Sequence, residues 1–201
     1  MSSNLMSKTI DWSKYGVVYG GAQKNMGPAG VTIVIVRDDV IRGHRSDTPL
    51  LCDWELFSKS QNMFFNTPST WPIYMCGLNV AYMLEHGGIP AMQALAAERS
   101  ALLYDYIDSS QGYFINNVDS KYRSRINLPF RVCNDKQLEA KFIAEATAVG
   151  LIELKGHSAV GGIRASLYNA MPVEGVKALI TFMSLFKKTN PFDESVHIPR
   201  L

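Results

Sequence analysis

The run Val31-Thr32-Ile33-Val34-Ile35-Val36 constrains this chain more than any other six residues. It is β-forming throughout, carries no charge and does not alternate with charged residues. Such a run predicts a strand covered on both faces, as in the sheet of an α/β protein. A shorter β-type run over 17–20 precedes it, and the loop between them is rich in turn residues: Gly20-Gly21, Gly27-Pro28 and Gly30. The longer run is far too short to cross a bilayer.

Downstream, the pattern changes from period two to helical. The spacing predicts a helix over 70–86, with Thr70 as cap, Pro72 in its first turn and Gly87-Gly88 as its stop. Apolar residues on most of its sides predict that it is well buried. A second helix is expected over 90–107, with Leu95, Leu102, Leu103 and Tyr106 inward and Glu98 and Arg99 outward. After Gly112, strands are expected over 113–117, 126–132, 151–154 and 163–167, and helices over 135–149 and 173–186. Strands and helices in this order make an α/β fold with a mixed or antiparallel sheet in its second part. A boundary near residue 95 divides the chain into 1–95 and 96–189, and 190–201 reads as a tail.

Charge and cysteine content narrow the function. Twenty Lys and Arg against 18 Asp and Glu leave a formal charge of +2, which provides no broad field for nucleic acid or an anionic membrane. Cys52, Cys76 and Cys133 lie far apart, which argues against a zinc site and a disulfide framework, so no metal is expected. The first residues have neither the basic start nor the apolar segment of a signal peptide, and a reducing, cytoplasmic setting is the default expectation.

The residues able to carry chemistry are few. Lys24 sits on the glycine-flanked loop between the two β-type runs, and neither the Walker spacing nor the dinucleotide fingerprint fits the glycines around it. A lysine held close to a sheet and partly desolvated has the lowered pKa that imine chemistry requires. An exposed loop lysine fits the same spacing. Arg164, in Gly161-Gly162-Ile163-Arg164, can hold a carboxylate through two parallel hydrogen bonds, or can be a strand-edge arginine paired with an acid. His157 can donate to a phosphate or lie solvated on a loop. Asn66 and Thr67 can donate to phosphate oxygens or cap the helix that follows them.

Four segments taken together resolve these choices. They are Gly21-Ala22-Gln23-Lys24-Asn25-x-Gly27-Pro28-Ala29-Gly30, then Asn66-Thr67-Pro68, then Arg123-Ser124-Arg125-x-Asn127-x-Pro129-Phe130, and finally Lys155-Gly156-His157-x-x-Val160-Gly161-Gly162-x-Arg164-Ala165-Ser166-x-Tyr168-Asn169-Ala170. In this order they resemble the phosphoserine aminotransferases, pyridoxal-phosphate enzymes of fold type I, over nearly the whole chain except the tail. The resemblance implies that Lys24 forms the Schiff base with pyridoxal 5'-phosphate and moves the substrate proton. It further implies that Gln23 binds the cofactor phosphate. Asn66 and Thr67 would reach the phosphate of a neighbouring subunit's cofactor, which implies a homodimer. Arg164 would clamp the substrate carboxylate and His157 the substrate phosphate.

The reaction so implied exchanges an amino group between glutamate and 3-phosphohydroxypyruvate, giving phosphoserine and 2-oxoglutarate in serine biosynthesis. Two departures stand out. Ser158 occupies a place where the family usually has arginine. The chain also matches only the C-terminal part of the family, with 1–95 as the end of the large cofactor domain and 96–189 as the small domain. An aspartate for the pyridine nitrogen, a stacking ring and a phosphate cradle belong to the upstream part, so a missing N-terminal half is expected. Two other readings are a non-catalytic fragment or half of a split enzyme, and a related class V aminotransferase with another substrate.

Overall fold

The computed structural model describes residues 1–43, 45–60 and 64–192. The chain divides into two compact units, Met1–Gln93 and Ala94–Leu201.

In the first unit the two β-type runs form an antiparallel hairpin. Strand β1 (Val17–Gly21) pairs with β2 (Thr32–Val36), Val17 opposite Val36 and Gly21 opposite Thr32. The expected two-sided burial of β2 is not found. Val34 and Ile35 are exposed, as is Tyr19 across from Val34. A charge-free run specifies extended backbone with two apolar faces, but a two-stranded ribbon has too few neighbours to cover both. Helix α1 (Asp38–Ile41) follows, and then α2 (Trp54–Lys59), whose N-terminus Asp53 caps by accepting from the amides of Glu55 and Leu56.

Helix α3 (Thr70–Glu85) forms where its spacing predicts, with Pro72 in the first turn. Its cap residue is Ser69 rather than Thr70, and no side chain closes it. Nor is the helix well buried: Cys76 and Met83 are, whereas Trp71, Tyr74, Leu78 and Tyr82 are exposed. The inner side of α3 meets a small core of Leu5, Ala22, Met26 and Cys76.

Helix α4 (Gly88–Asp108) starts after Gly87 and carries the chain from the first unit into the second. Leu103 and Ile107 lie in the core of the second unit, with Leu102 and Tyr106 against it. Leu95 is exposed, and Arg99, expected to face outward, is 1% exposed. Its guanidinium finds backbone carbonyls far along the chain, which helical periodicity has no means of showing.

The second unit contains a three-stranded antiparallel sheet in the order β3 (Phe114–Ile115), β4 (Asn127–Val132), β5 (Ile163–Ser166). Alternation along β4 and β5 sends Leu128, Phe130, Val132, Ile163 and Ala165 into the core. Helices α5 (Lys136–Ala148) and α6 (Val173–Thr189) add Phe142, Leu179, Met183 and Phe186 to it. The rings of Phe114, Phe130 and Phe142 meet edge to face at 5.9–6.0 Å. Each such side chain contributes about 1.5–3 kcal/mol by leaving water.

Proline in the middle strand has a local explanation. Pro129 faces Arg164, whose amide donates away from β4 to Leu154 O at 2.8 Å, so this is a non-hydrogen-bonded pair. The missing N–H of Pro129 therefore lies on the β3 side, where β3 has already ended. The expected strand over 113–117 is only Phe114–Ile115, and that over 151–154 is absent as a strand. Glu153, at φ +60, turns the backbone out of the extended region, leaving a single bridge from Lys155 to Ile163. Of the expected tail, 193–201 lies outside the described residues.

Candidate active site

The loop Ala22–Val31 joins β1 to β2 and presents Gln23 and Lys24 side by side, both exposed. Its shape comes from below. Ala22 donates to Val31 O at 2.9 Å, and the amides of Met26 and Gly27 return to Ala22 O. Buried Asn25 sends its amide group to Ser3 O at 2.8 Å and Leu5 O at 2.9 Å. Asn79 on α3 in turn donates to Asn25 O at 2.9 Å. Gly27 lies so close to α3 that a Cβ there would be 2.7 Å from Cys76 Sγ. Of the two readings of Lys24, the structure has the exposed one: the loop's anchors point inward, and Lys24 lies on its exposed side.

Asn66 and Thr67 belong to the same unit and are exposed just ahead of α3. Neither caps the helix, and among the described residues the Asn66 amide donates to Thr67 O, at 3.4 Å. Helix capping therefore does not explain the Asn66-Thr67 pair.

In the second unit the sheet face away from the core carries Asn127, Pro129, Arg131, Arg164 and Ser166. Arg164 is half-buried there, and its Nε is buried with no hydrogen-bond partner among the described residues. A buried guanidinium N–H without an acceptor is costly and suits an incoming carboxylate. The turn before β5 holds His157 and Ser158, both exposed. Ala159's amide donates to His157 Nδ1 at 3.2 Å, so in the neutral ring the proton sits on Nε2, as an outward donor. The third motif is structural in this unit. Arg123 grips Asp108 through both Nη atoms, at 2.5 and 2.9 Å, and lies 4.8 Å from the centre of the Tyr104 ring. Burial raises the Tyr104 hydroxyl to about 12, against the pull of Arg123. Ser124 Oγ accepts from the amides of Ile126 and Asn127.

Sequence reasoning does not reveal the supports: Asn25 beneath Lys24, Arg131 beside the His157 turn, and Arg99. The glycines next to Lys24 and His157 are the available signal, since close backbone approach implies something packed against it.

The fit to pyridoxal phosphate can be judged from the donor set. An exposed primary amine on a braced loop can condense with an aldehyde. The amide of Gln23 and the side chains of Asn66 and Thr67 are donors suited to a phosphate. These residues fit the group. Among the described residues, no cluster of three or more His, Cys, Asp or Glu could hold a metal ion, and no helix is long and apolar enough to cross a membrane.

Comparison with known proteins agrees with this chemistry. A family model described as aminotransferase class-V matches residues 1–179. The chain is 53% identical over 188 residues to the phosphoserine aminotransferase of Janthinobacterium sp. (strain Marseille), covering 94% of this chain and 51% of that protein. The solved phosphoserine aminotransferase of Bacillus circulans subsp. alkalophilus superposes with a TM-score of 0.90 at 40% identity, over 94% of this chain and 52% of that one. The pyridoxal-phosphate-bound phosphoserine aminotransferase of Trichomonas vaginalis gives 0.85 at 40% identity, over 92% and 52%. The fold is thus that of the fold-type I aminotransferases, and the chain spans about half the length of the relatives it matches.

Proposed function

We propose, since this chain belongs to the aminotransferase class-V family, that it is half of an enzyme that interconverts 3-phosphohydroxypyruvate plus glutamate and phosphoserine plus 2-oxoglutarate. One observation carries the reading: Lys24 stands exposed on a loop braced by Asn25, Asn79 and Cys76, as an amine that must hold and release a carbonyl needs to be. When bound, pyridoxal phosphate supplies an aldehyde that accepts the amino group and an electron sink for the bond broken at the substrate α-carbon. Lys24 attaches that cofactor and, once displaced by the substrate amine, moves the proton at the α-carbon. Gln23, Asn66 and Thr67 donate to phosphate oxygens of the cofactor. Arg164 holds the substrate carboxylate, and the Nε2–H of His157 donates to the substrate phosphate. A cytoplasmic location is part of the same reading, supported by three cysteines present as thiols.

The companion half supplies the remaining cofactor contacts. An exposed apolar two-stranded ribbon in the first unit supports this, because such a ribbon needs further strands to be stable. The assembled enzyme is this chain with the N-terminal part of a phosphoserine aminotransferase. Glutamate formation from phosphoserine and 2-oxoglutarate, with added cofactor, is expected from that assembly and not from the 201-residue chain alone. An assembly without phosphoserine turnover would refute the reading. Ser158 favours a second possibility, a related substrate, because it leaves an uncharged side chain beside His157. Ser158→Arg is therefore expected to raise phosphoserine turnover more than glutamate turnover; equal effects would place Ser158 outside the phosphate pocket.

A homodimer belongs to the proposal too. Trp71, Tyr74, Leu78 and Tyr82 recur at intervals of three and four along α3, forming one exposed apolar stripe just after Asn66 and Thr67. Sedimentation of the assembled enzyme should show two copies of this chain per particle, and Leu78→Glu should reduce that to one. A monomer before substitution would remove the dimer from the proposal.

A further inference from the structure

The turn from His157 to Gly162 contains little that could hold its own shape. Its internal bonds all end on His157: the amides of Val160 and Gly161 donate to its O at 3.0 and 2.7 Å, and that of Ala159 to its Nδ1 at 3.2 Å. Gly161 and Gly162 both lie at positive φ, +73 and +69, where side chains are rarely found. Register then brings β4 against it: Phe130 faces Ile163, so Arg131, one residue on, lies across from Gly162. A Cβ on Gly162 would be 2.9 Å from Arg131 Cδ, so the arginine stem rests directly on that glycine.

The guanidinium divides its donors. Nη2 donates to Val160 O, in the turn itself, at 2.7 Å. Nη1 faces both carboxylate oxygens of Glu139 on α5, at 3.1 and 3.3 Å. Glu139 is 5% exposed, and a carboxylate that deep requires a cation. A fork spent wholly on the carboxylate would leave the turn without this donor. Here one arm is anchored and the other holds the backbone of the turn.

We propose that Arg131, anchored by Glu139, is the positioning residue that holds the His157 turn in the shape that receives the substrate phosphate. The inference rests on the phosphoserine reading above. It makes the Arg131–Glu139 pair a determinant of affinity for the phosphorylated substrate, without contact between either residue and the substrate.

Arg131→Lys tests it. Lysine keeps a cation for Glu139 but gives up the two-armed fork. In the 201-residue chain, hydrogen exchange at the Val160 and Gly161 amides is expected to quicken about tenfold, the worth of one charged hydrogen bond, with the β4–β5 amides unchanged. The imidazole nitrogen resonances of His157 are expected to move from the Nε2–H form toward a mixture of tautomers. In the assembled enzyme, KM for phosphoserine should rise about tenfold, with KM for glutamate and kcat unchanged. Should Arg131→Lys fail to fold, Arg131→Gln combined with Glu139→Gln removes both charges and is expected to give the same pattern. Unchanged exchange and tautomer signals would overturn the proposal, as would a loosened turn with unchanged KM for phosphoserine. If the unsubstituted assembly transaminates other amino acids but not phosphoserine, the functional reading fails, and the exchange and tautomer results still decide whether Arg131 holds the turn.

Discussion

Lys24→Ala is expected to reduce transamination by the assembled enzyme at least about a thousandfold, leaving its stability nearly intact. The two halves of that expectation come from different parts of the loop. Stability resides in the residues beneath, where Asn25, Ala22 and Gly27 make the buried bonds and contacts. Lys24 is exposed above them, and exposed substitutions of this kind usually change stability by no more than about 0.5 kcal/mol. Chemistry, by contrast, has no substitute: a methyl group can neither hold the cofactor covalently nor carry a proton. Lys24→Arg should be as inactive, because a guanidinium keeps its charge and does not condense with an aldehyde at neutral pH. The visible absorbance of the lysine-bound cofactor should disappear from both variants. Full turnover with retained absorbance would mean that a different lysine does this work. A variant that unfolds would contradict the description of the loop rather than the role of its lysine.

The same loop marks how far the amino-acid sequence reaches. Motif order is what proposes one chemistry for Lys24, His157 and Arg164, because each motif couples a polar side chain to glycines that allow close approach. Exposure is not legible in the same way. The run from Val31 to Val36 reads as a strand buried on both faces, and the hairpin leaves Val34 and Ile35 in solvent. Local sequence encodes extended backbone and apolar faces; the layer that covers them is encoded elsewhere. Helix α3 teaches the same point, since apolar residues on most of its sides predict burial, and one stripe of them stays outside. Strand ends depart from expectation for a more local reason. Glu153 at φ +60 interrupts an otherwise β-like stretch, and nothing about glutamate announces a left-handed backbone. The second unit follows its sequence pattern more faithfully, because its three strands and two later helices bury their apolar faces against one another within the chain.

Arg99 departs furthest from its sequence pattern, and it leads to the largest expected loss of stability. A charged residue next to Glu98 on a helix is ordinarily solvated, yet Arg99 is 1% exposed. Burial pulls its pKa below the usual arginine value, partly countered by the nearby Glu98 carboxylate, and arginine remains charged through such a shift. Backbone meets the charge at Nε and Nη1, while Nη2 is buried without a hydrogen-bond partner among the described residues. Nε donates to Leu95 O at 3.2 Å, and Nη1 faces the carbonyls of Tyr168 and Asn169, both at 3.0 Å, and that of Met171. One side chain on α4 thus ties down the segment that follows β5, the strand carrying Arg164. Arg99→Leu keeps apolar bulk but removes the donor these carbonyls share, and charged hydrogen bonds contribute about 1.5–3 kcal/mol each. Because the three bonds share one donor, the expected loss is about 3–4 kcal/mol rather than their sum. Arg99→Lys keeps a cation with three donors on a flexible stem and should lose about half as much. Exchange of the β4 and β5 amides in strongly native conditions measures this in the unit concerned. A loss below about 1 kcal/mol for Arg99→Leu would mean that water satisfies those carbonyls as well as the arginine does, and that the turn after β5 is held by something else.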